Sequence, residues 1–380
     1  MQLTTNIGGT TFSWKTENSC DASLQISEDS NCSFNQFLKI MSGQQFELIP
    51  EKYAKISEHF VSASHYSSSL VPRDELKIRL KNAETIINDL TKVSENSLYL
   101  QDWVKSFEFL QSMKRAKIDK NALDLLMQQR GAEDSKTLKS FIPESDGYAR
   151  KVTYNVADSV TGRIKVSSGP LVLTTHHDVR NCIRSTFENG SVLSIDFRSV
   201  EPRISLLFVG KKPPEDVYSD LLEEFPDIGR PAAKLATLVA LYGGKVNRLA
   251  EVLGDLDRAR KSVSFVKAHF RVDELERRLS EQAEKDVVRN VLGRPLREAT
   301  KNPRIRTNHF LQSSAAELAS LLFSELCQKF QVGIRPLFVI HDALIVDVHP
   351  DFTKSFSDEA ESILWKGHRM PVKIERLHPI

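Results

Sequence analysis

The chain has 380 residues, 40% hydrophobic and 27% charged, a balance that suits a folded globular protein and excludes a disordered or collagen-like polymer. A formal charge of +2 excludes a strongly basic protein that holds nucleic acid by bulk charge, and no apolar run approaches the roughly 18 residues needed to span a bilayer. The length leaves room for two or three cores, because single cores rarely grow beyond about 250–300 residues. Cys20, Cys32, Cys182 and Cys327 form no CxxC pair, so neither zinc sites nor a disulfide scaffold is expected, and a reducing cytoplasm is the expected compartment. The start Met1-Gln-Leu-Thr-Thr lacks a basic stretch leading into an apolar core, so no export is expected.

Residues 1–70 carry four Lys against seven Asp or Glu, net −3, which leaves +5 on residues 71–380. This first segment alternates polar and apolar positions, Gly8-Gly9-Thr-Thr-Phe-Ser-Trp14 suits a hairpin entry, and the serine-rich Ser62–Pro72 reads as a linker. It is expected to be an accessory module. Residues 71–130 are charged and periodic, as in Leu76-Lys-Ile-Arg-Leu80 and Ala122-Leu-Asp-Leu-Leu-Met127, and read as helices. Residues 131–212 are mixed and end in the strand Ser191–Asp196 and a helix Val200–Phe208. Residues 213–300 are mainly helical, including the charged run Arg258–Val288. Residues 301–380 hold an apolar helix, Gln312–Phe330, and a strand pair around His341-Asp342. The layout is α+β: an antiparallel sheet backed by helices and interrupted by a helical insertion. No internal repeat is present.

Two acidic residues stand out. Asp196 and Asp342 each sit at the end of an apolar, β-branched run, where a bare carboxylate is costly unless a cation or hydrogen bonds compensate it. Two such positions on separate strands predict a shared divalent metal site. Between them, Arg230, Lys234, Leu238 and Tyr242 recur every fourth residue, which places them along one slowly drifting helical stripe. Gly229 and Pro231 suit a helix start here, since proline is tolerated in the first turn. Arg230 and Lys234 lie one turn apart, so both can reach one phosphate chain near a helix N-terminus that itself attracts anions. The stripe suits a triphosphate and a base.

In order, the segments Asp196-Phe-Arg-Ser-Val-Glu201-Pro-Arg203, Arg230-Pro-Ala-Ala-Lys234-Leu-Ala-Thr-Leu238-Val-Ala-Leu-Tyr242-Gly243 and His341-Asp342-Ala343 resemble the family patterns DYSQIELR, RxxxKxxxFxxxYG and HDE. Thr161-Gly-Arg163 with Ser167-Ser168 is similar to TGRLSS, and Arg304, Asn308, Gln312 and Ala315-Ala316 are similar to the RxxxNxxxQGTAAD helix. Together these five ordered segments resemble family-A DNA polymerases, the DNA polymerase I group.

The resemblance implies a right-hand architecture: a helical, shortened thumb over 71–130, a palm over 131–212 and 301–380, and fingers over 213–300. It implies a template-directed DNA polymerase that adds deoxynucleotides to a primer 3′ end. Asp196, Asp342 and the Phe197 carbonyl would hold two Mg²⁺ ions, with Mn²⁺ as a substitute, and Lys234 would join the aspartates in catalysis. Arg230, Lys234, Leu238, Tyr242 and Tyr218 would bind the nucleotide, and Glu201 would close off its 2′ side. Arg163, Arg304, Asn308, Gln312 and His341 would contact primer-template DNA; donors directed at the minor groove meet acceptors nearly common to all base pairs. The partners implied are primer-template DNA and dNTPs, with a replication partner for the N-terminal segment and no membrane.

The chain departs from the pattern at Ala343 for glutamate, Leu238 for an aromatic residue, Tyr218 for a phosphate-binding histidine, Arg198-Ser199 for Ser-Gln, and Ser313 for glycine. A proofreading domain is not expected beside a thumb in the residues before Thr161. The alternatives are a single-subunit RNA polymerase, against which Glu201 and the TGR segment speak, and a DNA-binding scaffold that no longer turns over.

Overall fold

The computed structural model of the protein describes residues 2–7, 10–15, 23–27, 30–33, 71–94, 98–129, 135–156, 159–175 and 177–377. Gly8-Gly9 and most of the expected linker lie outside them, as does Cys20. Strands β1 (Gln2–Ile7), β2 (Thr10–Lys15), β3 (Ser23–Ser27) and β4 (Ser30–Ser33) form an antiparallel meander, so the expected hairpin β1–β2 is present. Helices α1 (Arg73–Ser94), α2 (Leu98–Gln111) and α3 (Lys120–Gln129) follow where the apolar periodicity places them. Strand β5 (Lys117–Ile118) lies between α2 and α3, and β6 (Thr153–Asn155), β7 (Lys165–Ser168) and β8 (Ile183–Arg184) come after α3, with β5 paired to β8 and β6 to β7.

The core is a second antiparallel sheet. It contains β9 (Ser191–Phe197), β10 (Ile334–Ile340), β11 (Ala343–Val348) and β14 (Val372–Arg376) in the order β10-β11-β9-β14. Almost every residue of β9 and β11 is buried, which explains why both read as continuous apolar runs rather than alternating ones. The edge strand β10 is blunted: the Tyr154 hydroxyl donates to the Val339 carbonyl at 2.8 Å and accepts from its N–H at 2.8 Å. At the far end of β11 the fully buried Asp347 accepts from the Ser185 hydroxyl (2.5 Å) and from the Thr186 N–H (2.8 Å) and hydroxyl (2.6 Å).

Between β9 and β10 the chain is helical: α4 (Val200–Phe208), α5 (Gly229–Tyr242), α6 (Val246–Leu253), α7 (Leu256–His269), α8 (Val272–Lys285) and α9 (Pro303–Gln328). α5 ends at Gly243 with φ +67°, a left-handed cap that costs glycine little. α9 starts at an Asn302 side chain that accepts from the Arg304 N–H, with Pro303 in the first turn. It runs unbroken through the polar Arg304–Gln312 stretch and the apolar one after it. Its buried face locks onto the sheet and α4: Phe323 stacks on Phe197 with centroids 4.9 Å apart, and Phe310 meets Phe208 at 4.5 Å. Truncating such a ring typically costs about 3–5 kcal/mol. After β11 come α10 (Thr353–Glu361) and the hairpin β12 (Leu364–Trp365) with β13 (His368–Arg369).

Candidate active site

Asp196 is the penultimate residue of β9 and pairs with Ala343 on one side and Lys373 on the other. Asp342 stands in the turn rather than on a strand: Ile340 pairs with Ala343, so His341 and Asp342 form the two-residue turn between β10 and β11. His341 has φ +56° and Ser199, just past β9, has φ +55°. Both lie in the left-handed region that non-glycine residues rarely occupy, and such positions collect where surrounding structure holds them for function. The Phe197 N–H donates to the Asp342 carbonyl at 3.1 Å, which fixes the turn against the end of β9. Both carboxylates therefore lie at one end of the sheet.

Their charges are poorly compensated. Burial first, then repulsion from Asp342, push the Asp196 carboxyl up to about 6, with Arg180 and Lys373 opposing and Glu375 adding to the push. Burial also raises Asp342, opposed by its own backbone N–H and by His341, Lys234 and Arg163. Such a pair favours a bound cation, and two carboxylate groups suit a hard divalent ion. Among the described residues no group of three or more His, Cys, Asp or Glu side chains is arranged for a metal, so further ligands would come from backbone, solvent or substrate.

A cavity of about 380 Å³ opens over the carboxylates. Asp196 and Phe197 line it from the end of β9, His341 and Asp342 from the β10–β11 turn, Lys234 and Leu238 from α5, and Glu201 and Tyr218 from α4 and the loop beyond. Arg163 and Gln312 complete the expected residues that reach it. Helix α5 presents this stripe because its other face, Ala232, Ala233, Ala236, Val239 and Ala240, is small and buried. Glu201 joins three segments: it accepts from the Tyr242 hydroxyl of α5 and from Arg163 Nη2 at 3.2 Å. Burial, and then the Glu201 carboxylate, hold the Tyr242 phenol well above its usual range, so it stays a donor.

Four expected residues do not line the cavity: Arg230, Tyr242, Arg304 and Asn308. Arg230 is held by both Asp216 oxygens and lies over the Tyr218 ring at 5.1 Å. Arg304 is exposed at the start of α9, whereas Asn308, one turn further, has a buried side-chain oxygen with no partner among the described residues. Several residues around the site carry no periodic signal in the sequence. Ser199 donates to the Tyr218 hydroxyl at 3.1 Å. Arg180, whose Nε is buried without a partner among the described residues, bears on Asp196. Arg294 pairs with Glu317 at 2.7 Å with both side chains nearly buried, and its guanidinium packs so closely on Gly162 that an added Cβ there would meet Nη1 at 2.8 Å. That contact sets the backbone next to Arg163.

No protein-family model and no curated protein matches the chain. Among solved structures it is similar to "POL domain of Pol1 from M. smegmatis complex with DNA primer-template and dNTP", at 16% identity over 90% of this chain and 80% of that one, with a TM-score of 0.60. The chain therefore has the fold of that polymerase domain, in agreement with the family-A resemblance carried by its motifs.

Proposed function

We propose that the protein is a template-directed DNA polymerase that extends a primer 3′ end with deoxynucleotides. The observation that carries this reading is a pair of under-compensated carboxylates, Asp196 and Asp342, facing Lys234 across one cavity. The Pol1 domain of like fold is a complex with DNA primer-template and dNTP, which supports the same substrates here.

Asp196, Asp342 and the Phe197 carbonyl would hold divalent metal, Mg²⁺ by the hardness of its oxygen donors. When bound, the metal supplies activation of the attacking oxygen and charge neutralisation at the phosphates. Lys234 adds a cation to the triphosphate, and Arg230 can join it once released from Asp216. Leu238 offers an apolar face to the base, and Tyr242 keeps its proton and holds Glu201 in place. Glu201 then blocks the space that a 2′-hydroxyl would need. Gln312, Arg163 and His341 stand beside the carboxylates to receive the primer end, and Arg304 and Asn308 extend the helix face along the duplex. Residues 71–130, 213–300, and 131–212 with 301–380 act as thumb, fingers and palm.

Primer extension on a defined template with Mg²⁺ tests the reading, with dNTPs and rNTPs compared in parallel. Extension by dNTPs that is lost in Asp342→Ala is expected. Extension only by rNTPs would move the assignment to an RNA polymerase, and no extension with either would overturn it.

A further inference from the structure

A second cavity, about 560 Å³, shares no lining residue with the first. It is walled by Arg203 from α4, Lys211, Lys212 and Glu215 from the following loop, Asp220 and His269, and by His368 and Arg369 of the β12–β13 hairpin. We propose that this cavity is a second anion site that takes phosphate groups, either of free pyrophosphate or of a nucleic-acid backbone. The inference stands on the cavity itself and does not rest on the proposed reaction.

Four cations face two carboxylates there. The cations are mostly held by neutral acceptors, which orient them without cancelling their charge. Arg203 is only 3% exposed, yet its guanidinium donates to three carbonyls, those of Arg198 (3.0 Å), Pro214 (2.9 Å) and Glu215 (2.5 Å). Its hydrogen bonds all go to carbonyls, and the Glu215 and Asp216 carboxylates act on it only through space, so no acid is hydrogen-bonded to this buried cation. Lys211 donates to the His269 carbonyl at 3.0 Å, and Arg369 Nε to the Glu361 carbonyl at 2.9 Å. The carboxylates are weak competitors. Glu215 lies 3.7 Å from Arg369 and is 73% exposed, while Asp220 is half exposed and turned to His269 at 3.3 Å. The Lys212 and His368 side chains have no hydrogen bond or ion pair among the described residues, and His269 Nε2 is buried without a partner.

The ligand class follows from these donors. Guanidinium and ammonium groups suit phosphate oxygens, and no Phe, Tyr or Trp lines the cavity to stack a base. The volume exceeds what a single phosphate fills, so linked phosphates fit better than orthophosphate.

The test is calorimetric titration of sodium pyrophosphate, without divalent metal, into protein carrying Arg230→Ala and Lys234→Ala, which removes the cations of the proposed triphosphate site. Saturable binding is expected to remain, and to weaken about tenfold or more when Lys212→Glu and Arg369→Glu are added. Both added positions are exposed, so the fold should survive; a circular dichroism melt checks this. No binding in the Arg230→Ala/Lys234→Ala protein, or equal affinity after the added substitutions, overturns the proposal. A single-stranded oligothymidylate then separates the sources: if it displaces pyrophosphate the cavity takes a backbone, and if it does not the cavity takes the free anion. Primer extension by the unmodified protein is scored separately, so failure here and failure of the polymerase reading are distinct results.

Discussion

The sheet end and the α5 stripe meet at the same cavity but hold their charges in opposite ways. On the sheet, Asp196 and Asp342 are partly buried, repel each other and lack a full set of partners. On the α5 side, Arg230 is already paired with Asp216, Tyr242 is paired with Glu201, and Lys234 is exposed. The sheet end thus carries charge that a metal would relieve, while Arg230 on the helix uses a partner that a substrate can exchange. A carboxylate pair costs stability until its cation arrives, whereas exposed ion pairs cost little to make or break.

The largest expected effect tests the frustrated half. Asp196→Ala or Asp342→Ala should abolish primer extension while leaving primer-template binding largely intact, read by extension and by a gel-shift titration; substantial extension by either variant would remove the site assignment. The same frustration has a stability signature. A carboxyl raised from 3.8 to about 6 on folding binds its proton more tightly in the folded state, so metal-free stability should fall as pH rises from about 4 to 6 and then level off. Asp196→Asn should therefore raise metal-free stability at pH 7, by at most about 3 kcal/mol, measured by denaturant unfolding in EDTA. A stability loss would mean that the charge is better compensated than its surroundings indicate.

Lys234→Ala comes next, with an expected loss of about 10–100-fold in kcat/KM for dNTP, from one charge-assisted phosphate contact. Unchanged kinetics at limiting and saturating dNTP would place Lys234 outside the site. Glu201→Ala should raise ribonucleotide incorporation relative to the parent while also freeing Tyr242 and Arg163; equal selectivity in both proteins would end its role as the 2′ barrier. The smallest effect concerns the exchangeable pair. Arg230 and Asp216 side chains are 57% and 37% exposed, so Asp216→Asn should cost less than about 1 kcal/mol of stability. It should also lower KM for dNTP by releasing Arg230. A raised KM would show that Asp216 prepares Arg230 for phosphate instead of competing for it.

Local pattern made much of this legible. The apolar runs of β9 and β11 fit strands buried on both faces, Pro231 and Gly243 bracket α5, and four-residue spacing puts Lys234 and Leu238 on the face that reaches the cavity. The same spacing placed Arg230 on that stripe, but spacing carries no information about competing partners, and Asp216 lies fourteen residues upstream in a loop. Arg304 and Asn308 share Gln312's helix face but fall outside the cavity, because α9 rises 1.5 Å per residue and carries them past its mouth.

By itself, the sequence determined which residue types stand where: two acids at strand ends, cations and an aromatic ring at helical intervals, and a proline and glycines at helix ends. These are short-range matters of propensity, periodicity and backbone sterics. Only the tertiary structure decided how those charges are balanced. It set Asp342 in a turn pinned to Phe197, gave Arg230 to Asp216 and Glu201 to both Tyr242 and Arg163, and buried Arg294 with Glu317 against Gly162. Burial and charge pairing are properties of groups brought together from distant parts of the chain, and their energies depend on distance and surrounding dielectric, neither of which is written in residue order.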